Sequence, residues 1–529
     1  MIIVSGLLFA VLPAKAQKNE DMVWDVLIQK PGGPPAVSPL PTELQLKYHY
    51  MEKQIFVHFT VNSFTGKEWG DGTENPDVFN PEKLDCEQWV KVAKETGYNT
   101  MCLTVKHHDG FCLWPSQHTE HSVKNSKWRN GKGDVVREFA DACKKHRVNI
   151  SYYLSPWDRH DKRYGREAYN EYFIRQLKEL MIEYGPVRGF WFDGAFGGKT
   201  DGSCLTPFAW AEYFKVIRKY APDAFIEMMG PDIGWVKNEA AVSPKENWYF
   251  ESVPYKTASG VRPGEFPVAY IGHVYSQEDE ASVKAGGQPN YKATEVLRYM
   301  PREANTSIIG SWFWHPGQKP KSPQQLRDIY FSSVGRGSTL MLNLTPDTDG
   351  LFPDEQVEAL KLLDHELNMI FKRDFAHKKK VIANKTWNQD RRFSAEKVLD
   401  GEQDTYWAGE YQDFTGILEL DLEEEHTINV FELREPVHMG QRVSAFQVDY
   451  VSRTNQWVKL YEGTTVGYKK LIRFPAVTAQ KFRLHIKDAR TTPLISEFSL
   501  YFNPFDKRTD PNDYDPKKTK TGTREEEAI

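Results

Sequence analysis

Gly189-Phe190-Trp191-Phe192-Asp193-Gly194 sets three consecutive aromatic residues in front of a carboxylate and a glycine. A strand with one wet face alternates apolar and polar residues, so a run that is apolar at both parities belongs to a strand covered on both faces. Such strands occur in parallel sheets wrapped by helices, and Asp193 stands where this one ends. Seven more runs share the character: Ile55–Val61, Thr100–Val105, Asn149–Leu154, Ala224–Met229, Pro267–Ile271, Ser307–Trp314 and Ser338–Leu344. Between them lie amphipathic segments with helix punctuation: Cys86–Glu95 ahead of Gly97, Asp134–His146 from an acidic cap, Glu167–Glu183 ahead of Gly185-Pro186, Pro207–Lys219, and Pro323–Ser333. Eight strands with intervening helices predict an α/β fold, a (β/α)8 TIM-like barrel over residues 17–372. The helix between strands five and six is missing from this pattern; an irregular stretch runs from Gly230 to Phe266 instead.

Beyond the barrel the pattern changes. Residues 373–504 carry short alternating segments with turn signals and no long helical pattern, which predicts an all-β sandwich. Residues 505–529 are charged and poor in large apolar side chains, the composition of a flexible tail. At the other end, residues 1–16 are an apolar segment with the small-x-small exit Ala14-Lys15-Ala16, which reads as a signal peptide of an exported, periplasmic or secreted protein. No later stretch supplies the roughly 20 apolar residues of a membrane span. With a net charge of −5 and no basic stripe, nucleic acid and anionic membranes are excluded as main partners. The five cysteines show no metal or disulfide spacing and read as buried, reduced side chains.

In a barrel of this kind the working residues sit at the C-terminal ends of the strands. Those ends offer His58, then Glu68 and Trp69 a loop later; Lys106, His107, His108 and Asp109; Tyr153, Trp157 and Asp158; Asp193; Trp312, Trp314 and His315; and Asn343. A lone histidine here would more often be a satisfied core residue than a ligand. Three of them with Glu68, Trp69, Tyr153, Asp193 and Trp314 on one mouth make a polar and aromatic ring, because buried polar groups are costly unless something pairs with them. Aromatic faces also suit the C–H faces of sugar rings.

Two chemistries compete. Metal-assisted hydrolysis would use His and Asp as zinc ligands, but His58 is followed by Phe59 rather than completing a His-x-His pair. Glycoside hydrolysis needs two carboxyl groups flanking a sugar, about 5–5.5 Å apart in a retaining enzyme. Asp193 is one. The partner is sought in the irregular stretch, where Glu239, Glu246 and Glu251 are the candidates. Glu239 is preferred for its nearby Trp235, an aromatic that would dry its surroundings; composition alone does not choose among the three.

Taken together, Phe56-Val57-His58-Phe59, Glu68-Trp69-Gly70, Lys106-His107-His108-Asp109-Gly110-Phe111, Trp191-Phe192-Asp193-Gly194 and Gly335 through Leu344 resemble the α-L-fucosidases of glycoside hydrolase family 29 over residues 45–370. The resemblance implies exo-acting release of terminal α-linked fucose from a fucosylated oligosaccharide or glycoconjugate. It implies double displacement through a fucosyl-enzyme intermediate, with no cofactor for catalysis. Asp193 matches the nucleophile; His58, Glu68, Trp69, His107, His108 and Tyr153 match positions that bind the fucose hydroxyls, and Trp314 fits the aromatic against its methyl face. The run from Gly230 to Glu239 resembles the branch acting on α1,3/α1,4-linked fucose in Lewis-type glycans, where Glu239 would be the acid/base. The alternatives are a broader linkage range, a non-catalytic glycan-binding member of the fold, and another exo-glycosidase on the same barrel.

The C-terminal run Leu399-Asp400-Gly401-Glu402-Gln403-Asp404-Thr405-Tyr406-Trp407, with Glu432 to Glu435 and Gln441-Arg442-Val443, resembles discoidin-like, galactose-binding-like sandwiches. Such folds often carry a structural calcium, for which Asp400, Asp404 and Glu497 are candidate oxygen ligands. A turn shaped by Asp and Gly is the competing reading of the same residues.

Overall fold

The computed structural model describes residues 32–197, 208–254 and 295–506. The proposed signal segment, the strand expected at Pro267–Ile271, Cys204 and residues 507–529 lie outside them.

The chain enters through α1 (Glu43–Met51), whose Thr42 and Gln45 form a reciprocal capping box, and passes into β1 (Lys53–Val57). Then come α2 (Cys86–Glu95), β2 (Thr100–Lys106), α3 (Val135–His146), β3 (Asn149–Leu154), α4 (Ala168–Glu183), β4 (Val187–Phe192), α5 (Trp210–Tyr220) and β5 (Phe225–Met228). The helices start where the sequence supplies caps. The Asp85 carboxylate accepts from Gln88 N and that of Asp134 from Arg137 N, so each closes an amide that has no intrahelical partner. Every residue of β2 is buried, as its unbroken apolar run requires.

The next strands are β6 (Gly234–Trp235), the outlying β7 (Phe250–Pro254) and β8 (Glu295–Tyr299), and β9 (Arg302–Ser307). After α6 (Pro323–Ser332) come β10 (Thr339–Leu344) and α7 (Asp354–Phe371). The parallel sheet runs β5-β4-β3-β2-β1-β10-β9-β6. A single parallel bridge, Glu227 to Ile233, joins its two ends, so the barrel is nearly closed.

Two strands differ from the expected ones. The sixth position is taken by Gly234–Trp235, inside the stretch read as irregular. The seventh strand is Arg302–Ser307 rather than Ser307–Trp314, and it is buried throughout although it reads Arg-Glu-Ala-Asn-Thr-Ser. An apolar-run criterion cannot find a strand whose inward side chains are polar and bonded within the barrel. Residues 308–315 form the loop that follows it.

The C-terminal domain is antiparallel. Its main sheet contains β11 (Lys380–Ala383), β13 (Gly416–Arg434), β14 (Val443–Val451), β15 (Trp457–Gly463), β16 (Lys470–Ala489) and β18 (Glu497–Tyr501). A small second sheet pairs β12 (Trp407–Ala408) with β17 (Leu494–Ile495). Leu418, Leu420, Phe431, Phe446, Phe482, Leu484 and Phe498 fill the core.

The domain is packed firmly on the barrel. Trp248, Tyr249, Phe250 and Tyr299 form one apolar cluster with Val437 and Tyr468. Beside it, Lys469 Nζ reaches both Glu52 oxygens at 2.8 and 2.9 Å. Phe505, at the start of the expected tail, packs on the barrel core beneath the Arg327 guanidinium. Four of the five cysteines are described, all buried and unpaired. Among the described residues no helix is long and apolar enough to cross a membrane.

Candidate active site

The strand ends at the C-terminal face of the barrel bring His58, His107, His108, Tyr153 and Asp193 together. His107 and His108 leave the barrel after β2 has ended at Lys106. Both sit on the turn, so strand parity does not force them apart; their ring centroids are 4.0 Å apart. Gly110 closes this turn at φ +80, and a β-carbon there would lie 2.4 Å from Asp158 Oδ1. Only glycine fits.

Lys106 points the other way. Its ammonium is fully buried against Asp158 Oδ2 at 2.9 Å and Gln176 Oε1 at 3.0 Å, in the layer between β2 and α4. Asp158 in turn accepts the amides of His160 and Asp161 and so shapes the loop carrying Trp157. Asp109 is also structural: it accepts from Phe111 N and Asn62 Nδ2, and burial pushes its carboxyl up to about 7.

The imidazoles are neutral and oriented. Burial lowers His58 to about 3 and His108 to about 4, and takes His107 well below the usual value. Asn343 Nδ2 donates to Ser307 Oγ and Trp312 O, so its Oδ1 accepts from His58 N and from His58 Nδ1–H at 3.0 Å. That leaves His58 Nε2 as an acceptor. Ser155 donates to Trp157 O at 2.6 Å and therefore accepts from His108 Nδ1–H at 2.8 Å. His108 Nε2 is then also an acceptor, 3.8 Å from Asp193 Oδ2. These tautomers follow from the hydrogen-bond network. A ligand meeting these two nitrogens must bring donors, as sugar hydroxyls do.

Asp193 sits one residue past β4 and is partly open to the mouth. Tyr153, fully buried on β3, donates its hydroxyl to Asp193 Oδ2 at 2.9 Å, and Ala195 N donates to Oδ1 at 2.8 Å. The rim is aromatic. Trp69 is 44% exposed and stands edge-on to His108 and Trp157, at 5.6 and 5.5 Å between ring centroids. Trp312 lies over His58 at 5.1 Å and against Phe56 at 6.1 Å. Glu68 accepts from Trp312 N at 3.0 Å and meets His315 Nε2 at 3.1 Å, which fixes the loop after β9 to the loop after β1.

Glu239 is tied to the same mouth through Trp312, whose indole Nε1 donates to Glu239 Oε2 at 3.1 Å. It is exposed, not dried by Trp235 as expected; Trp235 instead donates to Asn305 Oδ1. The competing carboxylates are committed elsewhere. Glu246 accepts the Thr464 and Thr465 amides at the domain junction, and Glu251 is buried beside Arg298. Trp314 is half-buried; on this loop the aromatic contacts with the histidines are made by Trp312, against His58, and by Phe313, against His58 and His107. Trp312, His315, Asn343 and Trp157 were visible as strand-end residues, but nothing in the linear pattern distinguished Trp312 from Trp314.

The expected calcium ligands do not come together. Asp400 accepts from Glu402 N and the Thr405 hydroxyl, the pattern of a turn, and Glu497 accepts from Ser499 on β18. Among the described residues no three His, Cys, Asp or Glu side chains form a group able to hold a metal ion.

Residues 41–368, the barrel that carries this pocket, match the family model for alpha-L-fucosidase. The chain belongs to the α-L-fucosidase family. It is an α-L-fucosidase of glycoside hydrolase family 29, and residues 381–498 match the F5/8 type C, discoidin-like domain. The fucosidase is 37% identical to alpha-L-fucosidase 1 of Arabidopsis thaliana over 477 residues, 89% of each chain. Its fold superposes on the crystal structure of SpGH29 with a TM-score of 0.78 at 36% identity, covering 89% of this chain and 99% of that one. A Ruminococcus gnavus GH29 fucosidase solved in complex with fucose matches at a TM-score of 0.75 and 28% identity, over 87% and 94% of the two chains.

Proposed function

We propose that this fucosidase removes terminal α1,3- or α1,4-linked fucose from Lewis-type glycans by double displacement with retention, Asp193 being the nucleophile and Glu239 the acid/base. The observation that carries the reading is the setting of Asp193. Its carboxylate is aimed into the mouth by Tyr153 and Ala195 and faces neutral imidazoles whose free nitrogens accept from hydroxyls. Fucose binds with its hydroxyls on His58, His107 and His108, under a rim of Trp69 and Trp312. Asp193 attacks the anomeric carbon while Glu239 protonates the departing oxygen. Water, deprotonated by Glu239, then releases fucose with its original configuration.

Glu239 supports the second role because Trp312 fixes it to the same mouth while leaving it on the outer side, where the leaving sugar would lie. For the linkage, the support is the likeness of the run from Gly230 to Glu239 to the branch acting on branched glycans. Hydrolysis of a Lewis trisaccharide beside a 2′-linked fucoside and para-nitrophenyl α-fucoside tests it. Preferential cleavage of the trisaccharide supports the reading; strong cleavage of the 2′-linked compound overturns it.

The apolar segment at residues 1–16 supports an exported enzyme. A mature chain beginning at Gln17 when the full sequence is expressed is the expected result, and a retained Met1 contradicts it.

A further inference from the structure

Beneath the pocket the barrel interior holds a second carboxyl that the proposed mechanism does not use. Glu303 on β9 is fully buried, and its Oε1 accepts the indole N–H of Trp191 at 3.0 Å. Its Oε2 has no hydrogen-bond partner. Trp191 lies on β4, two residues before Asp193. Its ring stands edge-on against Tyr153 at 4.9 Å, and Tyr153 holds Asp193. The contacts therefore run without a gap from Glu303 through Trp191 and Tyr153 to Asp193.

We propose that Glu303 is a positioning residue for the nucleophile, an uncharged carboxylic acid at the pH of turnover that clamps Trp191 and thereby sets the Tyr153–Asp193 contact. This rests on the reading of Asp193 as nucleophile.

The surroundings of Glu303 favour the uncharged form. The groups that face it are Glu227 from β5, Asp193 from the end of β4, Tyr48 from α1 and Cys102 from β2. Arg302, its neighbour on β9, alternates to the other face of the strand. An ionised carboxylate with a bare oxygen in this interior would bear the full desolvation cost. Burial first and then Glu227 push Glu303 well above the usual carboxylate range, and burial pushes Glu227 itself up to about 7. An uncharged Glu303 also spares Asp193 a like charge, which would oppose its ionisation.

The test compares Glu303→Gln and Glu303→Leu with the parent, measuring kcat, KM and the pH profile of kcat/KM. Glutamine keeps an oxygen for Trp191 and carries no charge, so E303Q should keep kcat and leave the acid limb where it is. Leucine leaves the indole N–H unpaired and should lower kcat by about tenfold or more at little-changed KM. An acid limb moved to lower pH in E303Q shows that the parent residue was charged and overturns the proposal; so does an E303L enzyme with parental kcat. If E303L does not fold, the difference infrared spectrum of parent minus E303Q decides. A protonated-carboxyl C=O band lost in E303Q supports the proposal, and a lost carboxylate band refutes it. That spectrum does not depend on the role of Asp193, so a failure of the nucleophile assignment is separable from a failure here.

Discussion

Tyr153 on β3 and Asp193, one residue past the neighbouring β4, meet through one hydrogen bond of 2.9 Å, from the phenol to Oδ2. The phenol is buried to its tip, so its ring cannot swing away, and the bond fixes where the carboxylate oxygens point. Attack on an anomeric carbon depends on that direction.

Tyr153→Phe should therefore lower kcat by about 10- to 100-fold through misdirection of Asp193. KM for para-nitrophenyl α-fucoside should change little, and steady-state kinetics at the pH optimum read both. A parental kcat would mean that Ala195 N alone orients the carboxylate.

Glu239→Ala should cost about 10²–10⁴-fold on a Lewis trisaccharide, the usual contribution of a general acid. Fucosylation of the enzyme by a substrate with a good leaving group should be largely spared, and azide, taking the place of water on the fucosyl-enzyme, should restore turnover with the α-fucosyl azide as product. Equal losses on both substrates would remove Glu239 from the proton-donating role. Trp312→Phe, which keeps the ring and deletes the N–H holding Glu239, should show the same selectivity more weakly, about tenfold on the trisaccharide.

The buried imidazoles make stability depend on acid. His58 and His108 have folded values of about 3 and 4, below the 6.5 of an open histidine. Between pH 6.5 and those values the unfolded chain binds protons that the folded one does not, so their contribution is lost as pH falls through that window. Asp109 and Glu227, both raised to about 7, act in the opposite sense between about 4.5 and 7. The difference between parent and His108→Gln isolates one histidine. The variant should lose less Tm than the parent between pH 6.5 and 4; parallel curves would contradict a neutral His108.

Lys106 belongs to the fold, not the ligand. Asp158→Ala strands its ammonium with no counter-charge at zero exposure, and should destabilise the enzyme by about 3–5 kcal/mol. Denaturant unfolding measures this, and a loss under 1 kcal/mol would mean that Gln176 and the Tyr169 hydroxyl suffice.

How far the sequence could be read follows from what each strand must bury. The strands at β1 to β5 and β10 are covered on both faces by apolar groups, so their runs are continuous and readable, and Asp134 marks a helix start by the amide it caps. The strand at β9 escaped because Glu303, Asn305 and Ser307 bond inside the barrel and break the run. The expected strand over Ser307–Trp314 put Trp312 and Trp314 at a strand end, whereas the strand itself ends at Ser307; in the loop that holds them, parity carries no information. His58, His107, His108, Tyr153 and Asp193 were legible because strand ends converge in any barrel. The Trp312–Glu239 contact joins two loops 73 residues apart in sequence and has no linear signature.

Formation of a covalent intermediate on Asp193 can be trapped directly. Incubation with a 2-deoxy-2-fluoro-fucosyl donor, followed by proteolysis and mass spectrometry, should find the fluorofucosyl group on the peptide containing Asp193, with loss of activity in step with labelling. A label on Glu239, or inactivation without any covalent label, would rule out Asp193 as the nucleophile.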